Sequence, residues 1–318
     1  MMNVVKTVCL VALALTSINA YSQFKMPTQA DASEFQRRKI AVLLKNPNQE
    51  TLKDLKNDPT GQKLYHEWIG RSNDILKRSF EKFWTLNKEV SFVTADQFNS
   101  IREGKDATNF ALFQIEYGTK NMRTPSGTRK RPGYLLQVFL ADQKNPVFEI
   151  MTPSDQLAEN DYKFVIHTMT QYLEAAAQGK KSDDLWDVDR NLATLEKKPL
   201  LIAEEQVAIT AEKAQSEYAH SVKFTTMDKL EDQISEGQDI LFCTVIFHMQ
   251  KSIWMNATVD ASNMEIVSLV PAESLDISLG VFTSESTGTL VPIYRSDLKL
   301  DKKYFKYTTN KLAMKVNH

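Results

Sequence analysis

Val90-Ser91-Phe92-Val93-Thr94-Ala95-Asp96-Gln97-Phe98 and Val222-Lys223-Phe224-Thr225-Thr226-Met227-Asp228-Lys229-Leu230 read alike. Each is a short alternating strand, a Thr, an Asp two residues later, then an apolar residue. Val90 and Phe92, like Val222 and Phe224, fall on one face of a strand, whose side chains alternate with period two. The Thr is placed to cap a helix, and Thr94-x-x-Gln97 has capping-box spacing. Downstream, Ile101-Arg-Glu-Gly104-Lys-Asp106 matches Ile234-Ser-Glu-Gly237-Gln-Asp239, with the offset between copies moving from 132 to 133. Gly104 and Gly237 suit helix ends, where glycine takes the left-handed conformation cheaply.

The likeness extends outward in both directions. Strands are expected at Phe110 to Tyr117 and Ile240 to Phe247. Further strands follow at Tyr134 to Leu140 and Ile253 to Val259, and at Val147 to Met151 and Glu265 to Val270. The polar turns Asp142 to Asn145 and Asp260 to Asn263 make the last two of each set hairpin partners. A strand, a short helix and a strand imply a right-handed parallel crossover. Each copy closes on a helix starting near Asp161 or Asp301. Tyr162, Val165, Ile166, Met169, Tyr172 and Leu173 form one helical face, and Tyr304, Phe305, Thr308 and Leu312 a weaker one. A helix also precedes each copy. The first carries Leu64, Trp68, Ser72, Ile75, Leu76, Ser79, Phe80 and Phe83 on one face; the second carries Val207, Ala211, Ala214 and Tyr218.

The expected fold is therefore α/β (α+β mixed): two similar α-β-α-β-β-β-α units with mixed sheets, preceded by a helical N-terminal extension. The boundaries are 1–22 for a cleaved signal peptide, 23–58 for the extension and 59–176 for the first unit. A linker follows at 177–199 and the second unit at 200–318. Agreement of pattern, caps and element order carries the reading, since identity between the copies is low.

The signal peptide is read from Lys6 followed by the apolar run Val8 to Leu15, too short to span a bilayer. Ala20-Tyr21-Ser22 fits a small-x-small cleavage site, leaving Gln23 first; cleavage after Ala20 is the alternative. Cys9 precedes most of the apolar run and so does not suit lipid attachment. No later run of 18 apolar residues is present to span a membrane. Export to the periplasm or exterior of a Gram-negative bacterium is the expectation. The lone sequon Asn256-Ala-Thr258 points weakly the other way.

The 318 residues carry 39 basic and 40 acidic side chains; the chain without its leader has one basic fewer, Lys6. Near-neutrality gives no global bias toward nucleic acid. Of two cysteines only Cys243 would remain, so the core must hold without an internal disulfide.

The strongest local feature is the run from Lys120 to Gly133. Lys120, Arg123, Arg129, Lys130 and Arg131 are cationic and no acid interrupts them, so the run is a candidate contact for an anionic partner, with arginine offering paired donors. It has no interleaved aromatics, which argues against single-stranded nucleic acid. Asp183, Asp184, Asp187 and Asp189 lack EF-hand spacing; Ser182 or Asp183 is expected to cap a helix, and a cation site is not expected. None of the five histidines has zinc-motif spacing, and Cys243 in a strand reads as a small buried hydrophobe. No nucleophile elbow, Walker loop or dinucleotide fingerprint is present. Glu116 and Glu149 are the faint candidates for a carboxylate pair. No cofactor and no metal is expected, catalytic residues are unassigned, and oligomeric state is open. The leading expectation is an exported, non-enzymatic binding or interaction protein, whose partner is an anionic group or another envelope protein. The alternative is an envelope hydrolase with its site between the units. A structural subunit of an envelope assembly is a third option.

Overall fold

A computed structural model describes residues 24–124, 127–155, 157–249, 251–272, 295–311 and 314; side chains of 121–131 lie outside the description, as does the expected leader 1–22. The chain runs α1 (Gln29–Arg37), β1 (Lys39–Leu43), α2 (Gln49–Asp54), α3 (Pro59–Phe83), β2 (Val90–Val93), α4 (Ala95–Glu103), β3 (Phe110–Thr124), β4 (Gly127–Leu140), β5 (Phe148–Thr152) and α5 (Glu159–Ala177). It continues α6 (Val188–Lys197), β6 (Leu200–Ala203), α7 (Ala211–Glu217), β7 (Val222–Thr225), α8 (Met227–Ser235), β8 (Leu241–His248), β9 (Ile253–Asp260), β10 (Ile266–Pro271) and α9 (Lys302–Thr308).

These strands form two five-stranded mixed sheets with the same connectivity. One has the order β2-β1-β3-β4-β5, the other β7-β6-β8-β9-β10. In each, the first three strands in sequence are parallel and the last two turn back antiparallel. The registers correspond as well. Ile40 lies opposite Val90 and Ala111, and Leu200 lies opposite Val222 and Leu241. The two units recognised in the sequence thus share one topology.

Two strands went unread, β1 and β6. Ile40-Ala41-Val42 and Leu200-Leu201-Ile202-Ala203 are fully buried. Strands covered on both faces are apolar throughout and carry no alternation to recognise. The stretch 23–58 therefore holds a sheet strand as well as helix α1, and the stretch 177–199 holds α6, which stands before β6 as α1 stands before β1.

Some local signals act as expected and others do not: Thr226 makes no side-chain cap bond, Val207 lies before the helix it is expected to join, and Asp187 rather than Ser182 or Asp183 caps α6. Thr94 and Gln97 close a capping box on α4. Asp58 caps α3, with Pro59 in its first turn where a missing N–H costs nothing. Asp187 accepts from the Asp189 and Arg190 amides at 3.0 Å to cap α6, so this acid belongs to a helix start. Gly237 takes the left-handed conformation after α8, but Gly104 ends α4 at φ −77°. On α3 the buried residues are Ile69, Leu76, Ser79 and Phe80, while Leu64 is 57% exposed because the first turns overhang the core.

The principal core joins the units. Ile40, Val42, Phe113, Leu136 and Ile150 contribute from the first sheet, and Leu201, Phe242, Ile246, Met255 and Val259 from the second. Helix α5 lies in this shared core and is buried on more than one side. The expected face from Tyr162 to Leu173 is covered, and so are Lys163, Phe164, Thr168, Ala175 and Ala176. A large apolar side chain buried this way contributes about 1.5–3 kcal/mol. Edge strand β5 also lies against β8, where Leu135 and Met151 pack with Val245, Phe247 and Trp254.

Strands β3 and β4 outrun the sheet. Strand β5 pairs with β4 only from Tyr134 to Val138, whereas β3 and β4 stay paired out to Thr124 and Gly127. The cationic run is therefore a two-stranded ribbon rather than a loop. Gly118 lies directly opposite Gly133 where the ribbon leaves the sheet. Lys120 Nζ donates to both oxygens of Glu149 at 2.7 and 2.8 Å, and Glu149 also accepts from Gln137, which pairs with Gln114. Six residues of extended strand separate Lys120 from Gln114, a span of about 20 Å. The ribbon must therefore curl back over the sheet, and paired glycines allow that curvature. A Cβ at Gly133 would stand 2.4 Å from the Thr152 carbonyl oxygen. Gly133→Ala is expected to lower stability by about 1–3 kcal/mol through this overlap. Gly70→Ala, on open helix surface, is the control and is expected to raise stability. Paired thermal melts check both.

Candidate functional site

In each sheet the chain leaves the first strand in one direction, toward the second, and returns past it to the third. Helix α3 packs on one face of the first sheet and α4 on the other; α7 and α8 divide the second sheet likewise. The carboxyl ends of β1/β3 and of β6/β8 are thus topological switch points, where open α/β sheets form crevices.

At the second switch point the crevice is wide. Strands β6 and β8 share only the Leu200–Leu241 pair and then diverge. The segment from Arg295 to Leu300 runs beside the gap. Leu300 N donates to Gln206 O at 2.8 Å, and Ala208 N to Leu300 O at 2.9 Å. A cleft of about 620 Å³ opens there, at the seam of the two units. Its apolar walls include Phe164 from α5, Met227, Leu230 and Ile234 from α8, Phe242 and Val245 from β8, and Leu298 and Leu300.

The polar groups come largely from the first turn of α5. Asp161 accepts from the Ala158 amide at 2.8 Å and so caps its own helix. The same carboxylate takes the Arg295 guanidinium at 2.5 Å. Asp155 accepts from the Arg295 backbone amide at 2.7 Å. In the same turn, Asn160 donates to the carbonyl and carboxylate of Glu231 on α8. Lys163 donates to Ile234 O at 2.8 Å, at the negative end of the α8 dipole. Residues 160, 161 and 163 therefore bolt α5 to the second unit around the cleft mouth.

Two lining carboxyls are held above the usual carboxylate range, each first by burial. For Asp155 the Arg295 bonds oppose that shift; for Glu231 the Asn160 bond opposes it and Asp161 adds to it. Arg295 is pushed upward by Asp161, Asp155 and Glu231, against its own burial. Four carboxylates, Asp155, Asp161, Glu205 and Glu231, and one guanidinium stand among the described lining residues, and Asp155 and Asp161 pair with that guanidinium. Asn160 Oδ1 and Arg295 Nε are buried without a hydrogen bond there, Arg295 Nε standing 3.9 Å from Asp155 Oδ2. Cys243 also lines the cleft, and burial pushes its thiol up to about 12.

A raised carboxyl binds its proton more tightly folded than unfolded, so it opposes folding above its folded pKa and ceases to do so as pH falls. Glu231→Gln keeps an acceptor for Asn160 and removes the charge. It is expected to raise the melting temperature at neutral pH, with the gain shrinking toward pH 4. A gain that grows on acidification would contradict the assignment.

Of the sequence-derived candidates, Lys120 is tied to Glu149 on the first sheet, away from the cleft lining. Arg123, Arg129, Lys130 and Arg131 have their backbones in the ribbon, and their side chains lie outside the description. Glu116 is exposed and accepts from Gln114 at 3.5 Å, so it is linked to Glu149 only through the Gln114–Gln137 pair. The cleft residues Asp155, Asn160, Asp161, Glu231 and Arg295 were not read as a group, because three separated segments converge on it.

Comparison of the chain with family models, with curated proteins and with solved structures gives no match. No helix among the described residues is long and apolar enough to cross a membrane.

Proposed function

We propose that this is an exported, non-enzymatic binding protein of the Gram-negative periplasm or exterior, and that its ligand seats in the seam cleft. One observation carries the reading: an apolar-walled cleft of about 620 Å³ whose lining holds four carboxylates and one guanidinium. Apolar walls with a few placed polar groups are the usual composition of a ligand pocket. Excess negative charge at a low-dielectric wall favours a cation. The ligand class is thus an apolar body bearing an amine or guanidine, free or on a peptide side chain.

Titration of the purified protein with 4-phenylbutylamine and 4-phenylbutanol tests this. The amine is expected to bind saturably and at least tenfold more tightly. Ser296→Trp, at the exposed rim, is expected to block the cleft and abolish binding without unfolding the chain. Equal binding of the alcohol, or no saturable binding, would overturn the reading.

The raised carboxyls Asp155 and Glu231 favour the hydrolase as the second reading, since burial is how a general acid is kept protonated near neutrality. Turnover of a chromogenic ester, peptide or glycoside that is lost in Glu231→Gln would replace binding by catalysis. The anionic-partner reading of the ribbon rests on the charges at Arg123, Arg129, Lys130 and Arg131. A partner captured from the envelope by the parent and lost when all four become Ser would support it.

A further inference from the structure

The first sheet has the same switch point, and a second pocket of about 230 Å³ opens there. By register, Ile40 and Leu200 hold equivalent places, so Lys45 and Glu205, each five residues on, occupy the same position after the first strand. The two switch points therefore carry opposite charge. Asn73 pins the Lys45 backbone from both sides, accepting from its N–H at 2.8 Å and donating to its carbonyl at 3.0 Å. The ammonium lies 3.8 Å from the centre of the Trp68 ring and 5.7 Å from that of Tyr134.

Burial lowers the Lys45 pKa to about 8, and no carboxylate among the described residues lies within ion-pair distance. A buried charge calls for a counter-charge or hydrogen-bonded partner; here an aromatic face alone attends it. Tyr162 reaches the same pocket from α5, and burial keeps its phenol protonated, hence a donor. Aromatic rings stand about the Lys45 ammonium. Trp68 stacks on Tyr65 with ring centres 5.9 Å apart, and Tyr134 meets the half-exposed Tyr117 edge to face at 5.6 Å. Flat or ring-shaped bodies pack on such faces.

We propose that this pocket binds a small organic carboxylate on a ring body, with Lys45 as the anion anchor and Trp68 as the ring beside that ammonium. An aromatic acid and an acidic sugar share that chemistry. The inference stands apart from the seam cleft, whose charge selects the opposite ligand.

The test is calorimetric titration of the purified protein with benzoate against benzamide, and glucuronate against glucose, with Trp fluorescence followed in parallel. At least one acid is expected to bind saturably, its neutral counterpart at least tenfold more weakly. Lys45→Met is expected to cost at least tenfold in affinity with a melting temperature that does not fall, and Lys45→Arg to restore part of the affinity. Trp68→Phe is expected to remove the fluorescence response. Benzoate alone would identify the aromatic source, glucuronate alone the sugar source, and both the shared chemistry. Equal affinity for acid and neutral partner, unchanged affinity in Lys45→Met, or no binding of either acid would overturn the proposal.

Discussion

Phe164→Ala is expected to lower the stability of the whole protein by about 3–5 kcal/mol, the usual cost of emptying a buried aromatic site. Phe164 stands on α5 in the core fed by both sheets, and it also forms a wall of the seam cleft. The lost contacts belong to both units at once. Trp84 is buried in the shared core near Phe35 and Phe80, and Trp254 is buried against Phe247 of β8. Fluorescence of variants retaining one or the other should move to lower denaturant concentration together, coincident with far-ultraviolet circular dichroism. A variant in which only one tryptophan shifts would show the units folding independently.

Arg295→Met is expected to cost about 2–3 kcal/mol at neutral pH, somewhat below the loss for breaking a fully buried pair because Arg295 is 29% exposed. The methionine keeps much of the stem and removes the charge. Asp155, Asp161 and Glu231 are then left without their shared cation. Asp155 and Glu231 already sit above the usual range, and loss of the cation raises them further. Groups with raised folded pKa values cease to oppose folding as pH falls through those values. Much of the deficit should therefore return on acidification, and adding Asp161→Asn should recover part of it at neutral pH. Urea titrations of the three proteins at two pH values check this. A deficit independent of pH would assign Arg295 a packing role only.

The duplicated stretches were legible because alternation, capping threonines and helix-ending sequences repeat together. Strands β1 and β6 were not legible. Three buried residues in a row in β1 and four in β6 carry neither a strand period nor a helix period, and Pro59 to Phe83 dominates the pattern beside β1. The sequence reading gives helix α5 one apolar face, since Lys163, Thr168 and Ala175 look like a solvent face; all three are buried, Lys163 against α8. Lys120 read as a free charge because Glu149 lies two strands away, within reach only when the ribbon bends at Gly118 and Gly133. The cleft was least legible. Its charged groups sit on α5, on α8 and in the segment beginning at Arg295, and no spacing in the sequence links them.

Amide hydrogen exchange with and without 4-phenylbutylamine tests the central claim, that the seam at the second switch point is the ligand site. Protection is expected at 159–164, 227–234 and 241–245, the first turn of α5, helix α8 and the opening of β8. Protection confined to the ribbon 118–133, or none at saturating ligand, would contradict it.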